Sequence, residues 1–136
     1  MNQDRSDLKS KGGLRRLVNA FGYLYAGFRH GIAHEASIRQ ELFALVIFLP
    51  VAILLPVSNL EHLILVLSMM LVVLVEFLNS AIEATVDRIS VERHPLSAQA
   101  KDLASVAVGI SISMTGLCWL VIAGPVVLRW LGCDGA

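Results

Sequence analysis

Apolar side chains fall into three long runs separated by short polar stretches. From Leu42 to Leu60 the chain reads LFALVIFLPVAILLPVSNL, without a charged residue, about enough to cross a bilayer as a helix. Pro50 stands inside that run, where a proline kinks a helix, and Pro56, Ser58 and Asn59 read as a turn. A second run starts near Leu63, stays apolar to Val75 and continues as helix through an acidic stretch to Ile89. The third, from Leu103 to Leu128, is again free of charge. The pattern predicts an all-α integral membrane fold, a single domain over 1–136, with membrane helices at 42–60, 63–89 and 103–128.

Ahead of these lies LRRLVNAFGYLYAGFRHGIAH, residues 14–34. Leu14, Leu17, Val18, Phe21, Tyr25, Phe28 and Ile32 recur at helical spacing, while Arg15, Arg16, Asn19 and Arg29 mostly fall elsewhere. This suits a helix lying on a membrane surface, apolar face down and basic side chains near anionic head groups. The alternative is a soluble amphipathic helix packed on a partner. Residues 1–12, MNQDRSDLKSKG, are polar, read as a mobile tail and do not resemble a cleavable signal peptide.

Composition supports the membrane class. Of 136 residues 56% are hydrophobic and 16% charged, and mean hydropathy is +0.70; a soluble domain carries more charge and less apolar surface. Net charge is zero, so total charge selects no partner, and no nucleic-acid partner is expected. The position of the charges is informative. Arg5, Lys9, Lys11, Arg15, Arg16, Arg29 and Arg39 precede the first span, Arg88, Arg93 and Lys101 lie between the second and third, and Arg129 alone follows. Lysine and arginine stay on the cytoplasmic side. The expected placement is a bacterial inner membrane, with the N-terminus cytoplasmic and the C-terminus periplasmic. Cys118 lies in an apolar run and Cys133 near the end; they make neither a disulfide framework nor a zinc-like spacing.

The second run raises the chemical question. VVLVEFLNSAIEATVDRIS, residues 72–90, begins as lipid-facing helix and then places Glu76, Asn79, Glu83 and Asp87. A carboxylate at membrane depth costs about 2.5–3.5 kcal/mol or more. By helical geometry Ser80, Glu83 and Asp87 fall within about 40° of Glu76 round the axis, and Asn79 borders them at about 60°. Glu76 and Glu83 are about 10 Å apart along the axis. The stripe points from the polar boundary of the bilayer into the cytoplasm.

Three readings compete. The acids could pair structurally with Arg or Lys of neighbouring helices, which stabilises little because desolvation offsets attraction. They could line a proton or ion path. Or they could form a metal and phosphate site, since magnesium takes one or two carboxylates plus phosphate and water oxygens, with a nearby acid acting on a hydroxyl. HEASIRQE, residues 34–41, adds Glu35 and Glu41; VERHPLSAQAKD, residues 91–102, adds Glu92, Arg93, His94, Lys101 and Asp102 at the same membrane level. A proton path needs acids through the bilayer, and the outer halves of the spans offer only Glu61. An interfacial site is favoured. Neither a phosphate-binding loop of the G-x-x-x-x-G-K-[ST] type nor a kinase Gly-rich loop is present. In the third run Ser105, Gly109 and Ser113 stand four apart, a spacing that lets a neighbouring helix approach.

At these residues the sequence resembles the prokaryotic diacylglycerol kinase family. EFLNSAIEATVDRI matches the family's E-x-x-N-[ST]-A-[IL]-E-x-x-[VI]-D signature, supported by GYLYAGFRHGIAHEASIRQE before the first span and AKDLASVAV at the third. The resemblance covers roughly residues 14–125. It implies a homotrimer of three-span subunits, with sites between subunits, that moves the γ-phosphate of ATP onto a lipid hydroxyl. It implies that Glu76 is the general base, that Asn79 positions it or the phosphoryl group, and that Glu35 and Glu83 hold Mg2+ against ATP. It implies nucleotide contacts from Arg16, Tyr23, Glu35, Glu83, Glu92, Arg93, His94, Lys101 and Asp102. Arg16, Arg29, Ser37, Arg39, Gln40, Glu76 and Ser105 would lie near the lipid. The loop SVERHPLSAQAKD, with Pro95 after His94, is where the family is expected to vary. Undecaprenol is the competing substrate, although ASIRQE looks more like the diacylglycerol branch. A non-catalytic ion-conducting assembly is the competing class.

Overall fold

The computed structural model describes residues 13–89 and 94–132, so the tail at 1–12 lies outside the described residues. Four helices follow in order: α1 (Gly13–His34), α2 (Ala36–Leu54), α3 (Asn59–Ile89) and α4 (Pro95–Trp130). No strand occurs among the described residues. The chain divides into two compact units, residues 1–35 and 36–136.

The first unit contributes α1. Its stripe of Leu17, Val18, Phe21, Tyr25, Phe28 and Ile32 is exposed throughout. That stripe gives an amphipathic helix an apolar face to lay on another apolar phase.

In the second unit α3 packs against both α4 and α2. All three helices are long and apolar enough to cross a membrane by length and composition. Their limits differ from those of the apolar runs for local reasons. The first run does not stay helical to Leu60. Leu55 N–H still closes on the Val51 carbonyl at 3.1 Å, and Val57 N–H then turns back to the Leu55 carbonyl at 2.9 Å. Pro56 has no N–H to continue the ladder and disfavours helical backbone at Leu55. The helical assignment does continue through Pro50.

Ser58 opens α3 as a capping box. Its N–H donates to Glu61 Oε2 at 2.7 Å, its hydroxyl to the same oxygen at 2.6 Å, and Glu61 N–H donates back to Ser58 Oγ at 3.3 Å. His62 Nε2 also bonds the Leu55 carbonyl at 2.9 Å, tying the end of α2 to the start of α3. At the other crossing, α4 starts well before its charge-free run. His94 Nδ1 accepts from Leu96 N–H at 3.2 Å and Pro95 takes the first helical position, where its missing N–H costs nothing. Gly132, at φ +68°, ends α4 in the left-handed conformation a side chain disfavours.

The core of this unit joins Ala52, Leu55, Leu65, Ala123 and Val126, and Phe48 meets Trp119 edge-on at 5.3 Å. In lipid, packing and hydrogen bonds rather than water exclusion hold helices together. Thr115 Oγ1 bonds the Ser68 carbonyl across α4 and α3 at 2.9 Å, a contact worth about 0.6 kcal/mol in a bilayer. The small residues that permit close approach within the chain are Ala104, Ser111 and Ala123, which are buried. Ser105, Gly109 and Ser113 are exposed instead, and both serines bond their own helix backbone.

Candidate active site

The buried side of α3 runs Leu65, Ser68, Met69, Val72, Glu76. Those intervals of three and four residues form one helical face. Glu76 therefore occupies a core position by register. It is only 5% exposed, and its carboxylate makes no side-chain hydrogen bond to a described residue. The carboxyl facing it is Glu41 of α2, close enough for the two charges to interact. Glu41 is also the one charged residue lining an apolar cavity of about 340 Å³ between α2, α3 and α4, with Leu45, Phe48, Met69, Val72 and Trp119 among its walls. The sequence places Glu41 at the start of the first span without a role. Its electrostatic interaction with Glu76 joins two helices, which no spacing within one helix reveals.

One turn further, Asn79 Nδ2 donates to Glu83 Oε1 at 3.2 Å. The other end of the same amide, Oδ1, is buried and has no hydrogen-bond partner. Flipping the amide would set oxygen against oxygen, so the orphan cannot be relieved that way. A buried carbonyl left unpaired costs about 1–3 kcal/mol, and it accepts only a donor or a cation. The amide nitrogen is the atom that faces Glu83, so the orphaned oxygen and the Glu83 carboxylate are separate oxygen donors of the hard type magnesium prefers. Among the described residues no three His, Cys, Asp or Glu side chains gather as a metal cage. A magnesium ion carrying substrate phosphates and water requires no such cage.

Asp87 behaves differently. It receives Lys101 Nζ at 2.6 Å, joining the end of α3 to the start of α4. For this acid the structural pairing reading holds. Lys101 is 36% exposed and retains two further ammonium donors. His94 caps α4, Asp102 is exposed, and the exposed Ser105 hydroxyl donates to the Lys101 carbonyl at 3.0 Å. Glu92 and Arg93 lie outside the described residues.

The remaining candidates divide between the units. Arg16, Tyr23 and Arg29 stand exposed on α1, and half-buried Glu35 follows it, its N–H donating to the Gly31 carbonyl at 2.9 Å. Ser37, half-buried, with exposed Arg39 and Gln40, forms the first turns of α2. The structure thus brings together Glu41 with Glu76, Asn79 with Glu83, and Asp87 with Lys101.

Comparison with known proteins agrees with the motif. The family described as prokaryotic diacylglycerol kinase matches residues 22–123. A protein named diacylglycerol kinase from Pseudomonas aeruginosa is 45% identical over 117 residues, covering 86% of this chain and 95% of the relative. Its namesake in Escherichia coli K12 is 43% identical over 110 residues, covering 81% and 90%. One from Helicobacter pylori 26695 is 36% identical over 107 residues, covering 79% and 84%. The matched region takes in all of α2 and α3 and most of α1 and α4, with the buried Glu76, the Asn79–Glu83 pair and Lys101 inside it. This chain, a bacterial membrane protein, belongs to the prokaryotic diacylglycerol kinase family.

Proposed function

We propose that the chain is an ATP-dependent lipid kinase that converts diacylglycerol to phosphatidic acid at the cytoplasmic face of a bacterial inner membrane. The observation that carries this reading is Glu76, a carboxyl buried in an apolar helix stack with no hydrogen bond from any described residue. Burying a charged carboxyl costs several kcal/mol, and this reading gives that cost a use.

The chemistry follows from position. Glu76 takes the proton of the lipid hydroxyl while that oxygen attacks the γ-phosphorus, and the bond to the ADP oxygen breaks. Phosphoryl transfer asks mainly for alignment and for cancelling negative charge. Glu35 and Glu83 are the residues that would hold magnesium. Bound there, the ion would neutralise phosphate charge. Asn79 holds Glu83 through its amide, and in this reading it positions Glu76 or the phosphoryl group. Lys101, Asp102, His94, Arg93, Glu92, Arg16 and Tyr23 form the nucleotide side; Arg16, Arg29, Ser37, Arg39, Gln40 and Ser105 the lipid side. The cavity beside Glu41 offers an acyl chain a dry place to lie.

Large apolar side chains point outward along α2, α3 and α4. A homotrimer with sites completed between subunits would cover part of that surface, and lipid the rest. The charge-free turn after the first span and the lysines and arginines elsewhere support a cytoplasmic N-terminus and a periplasmic C-terminus.

The test is a transfer assay. Purified protein in mixed micelles receives γ-labelled ATP and magnesium with either diacylglycerol or undecaprenol. Label on diacylglycerol is the expected result. Preference for undecaprenol would change the substrate, and label on neither lipid would end the kinase reading.

A further inference from the structure

The face of α1 opposite its apolar stripe carries a pair of histidines that the kinase reading does not use. His30 and His34 are four residues apart, so they stack one turn above the other. Their ring centroids are 4.5 Å apart with planes inclined at 38°, and both residues are exposed. Relative to the centre of the stripe formed by Leu17, Phe21, Tyr25, Phe28 and Ile32, they lie about 140–180° away round the helix. A helix resting on its apolar side turns these rings to water.

We propose that His30 and His34 form a two-imidazole chelate for a transition-metal ion of the zinc, nickel or copper class, separate from any magnesium site. Two histidines at i and i+4 on one helix face are the arrangement by which helical metal sites grip zinc. Zinc binds imidazole nitrogen at about 2.0–2.1 Å, so two nitrogens on one tetrahedral ion stand about 3.3 Å apart. Rings with centroids 4.5 Å apart reach that separation by turning about χ2, a soft torsion, with no backbone movement. Imidazole selects this class of ion, whereas magnesium prefers oxygen. Water completes the coordination, because among the described residues no third His, Cys, Asp or Glu joins the pair. The ion bridges the last turn of α1, which ends at His34.

The test uses metal-free, full-length protein in detergent micelles, titrated with zinc and with copper in millimolar magnesium. One equivalent bound per chain is expected, undisturbed by magnesium, with a copper electron-paramagnetic-resonance spectrum showing two equatorial imidazole nitrogens. His30→Ala and His34→Ala should each weaken binding at least tenfold while leaving the helical circular dichroism unchanged, since both side chains face solvent. Glu83→Gln should leave zinc binding as it is. Failure of the wild type to take up zinc at micromolar concentration would overturn the proposal. So would a His30→Ala/His34→Ala double variant that binds zinc like the wild type. The inference stands apart from the kinase reading: zinc uptake without lipid phosphorylation would sink only the latter.

Discussion

The two ends of α3 treat their polar groups in opposite ways. At the first end Glu61 accepts two bonds from Ser58 and donates one back, and His62 bonds the Leu55 carbonyl at the end of α2. Every one of those groups is satisfied by a neighbour a few residues away. At the second end the Glu76 carboxylate is buried without a side-chain hydrogen bond to a described residue, and Asn79 Oδ1 is buried and orphaned. Both ends belong to one continuous helix, so propensity does not explain the contrast. The satisfied end builds a turn. The other end carries a buried carboxyl and one orphaned buried oxygen, the groups the proposed reaction would use, while Asp87, just beyond, is paired to Lys101.

Substitutions at the two ends sharpen that contrast. The largest effect belongs to Glu76→Gln, which keeps the shape and removes the proposed base. Turnover in the labelled-ATP assay should fall by about 10²–10⁴-fold, the usual range for a general base, with helical content and nucleotide affinity retained. Loss of the folded protein instead would mean that Glu76 is structural.

Asn79→Leu should lower turnover on the order of tenfold or more, because it removes both the bond to Glu83 and the orphan oxygen. Stability should stay level or rise, since an unpaired buried carbonyl costs about 1–3 kcal/mol. Activity and unfolding in mixed micelles, measured on one preparation, would show the two moving in opposite directions. A parallel fall in both would contradict the account.

At the satisfied end the signs reverse. Ser58→Ala removes the cap of α3 and should cost about 0.5–2 kcal/mol of stability, with turnover at saturating substrate unchanged. Asp87→Asn should have the smallest effect on the unfolding midpoint, about 0–1 kcal/mol for a pair this exposed. That difference should shrink further in high salt.

Much of this is legible in the sequence. Runs without charge mark the three membrane helices, and the helical recurrence of Leu17, Phe21, Tyr25, Phe28 and Ile32 marks α1. The stripe from Glu76 to Asp87 is legible because it needs only helical geometry. Helix ends are less so, since hydropathy does not register polar turns: α2 begins at Ala36 and α4 at Pro95, both well ahead of their apolar runs. The Ser58–Glu61 box carries a readable S-x-x-E signal that the turn residues around it obscure. The electrostatic interaction of Glu41 with Glu76 and the ion pair of Lys101 with Asp87 are not legible. Each joins two helices, and only their packing decides which side chains meet. The small-residue spacing at Ser105, Gly109 and Ser113 is visible but points to a face that α3 does not cover.

The most direct measurement compares two carboxylates of the same helix. Glu76→Gln and Glu61→Gln proteins, each confirmed folded and able to bind ATP, are given diacylglycerol and γ-labelled ATP under one set of conditions. The account predicts that Glu61→Gln labels the lipid at the wild-type rate and Glu76→Gln does not label it. Comparable rates from both, or equal losses in both, would show that Glu76 is not the base.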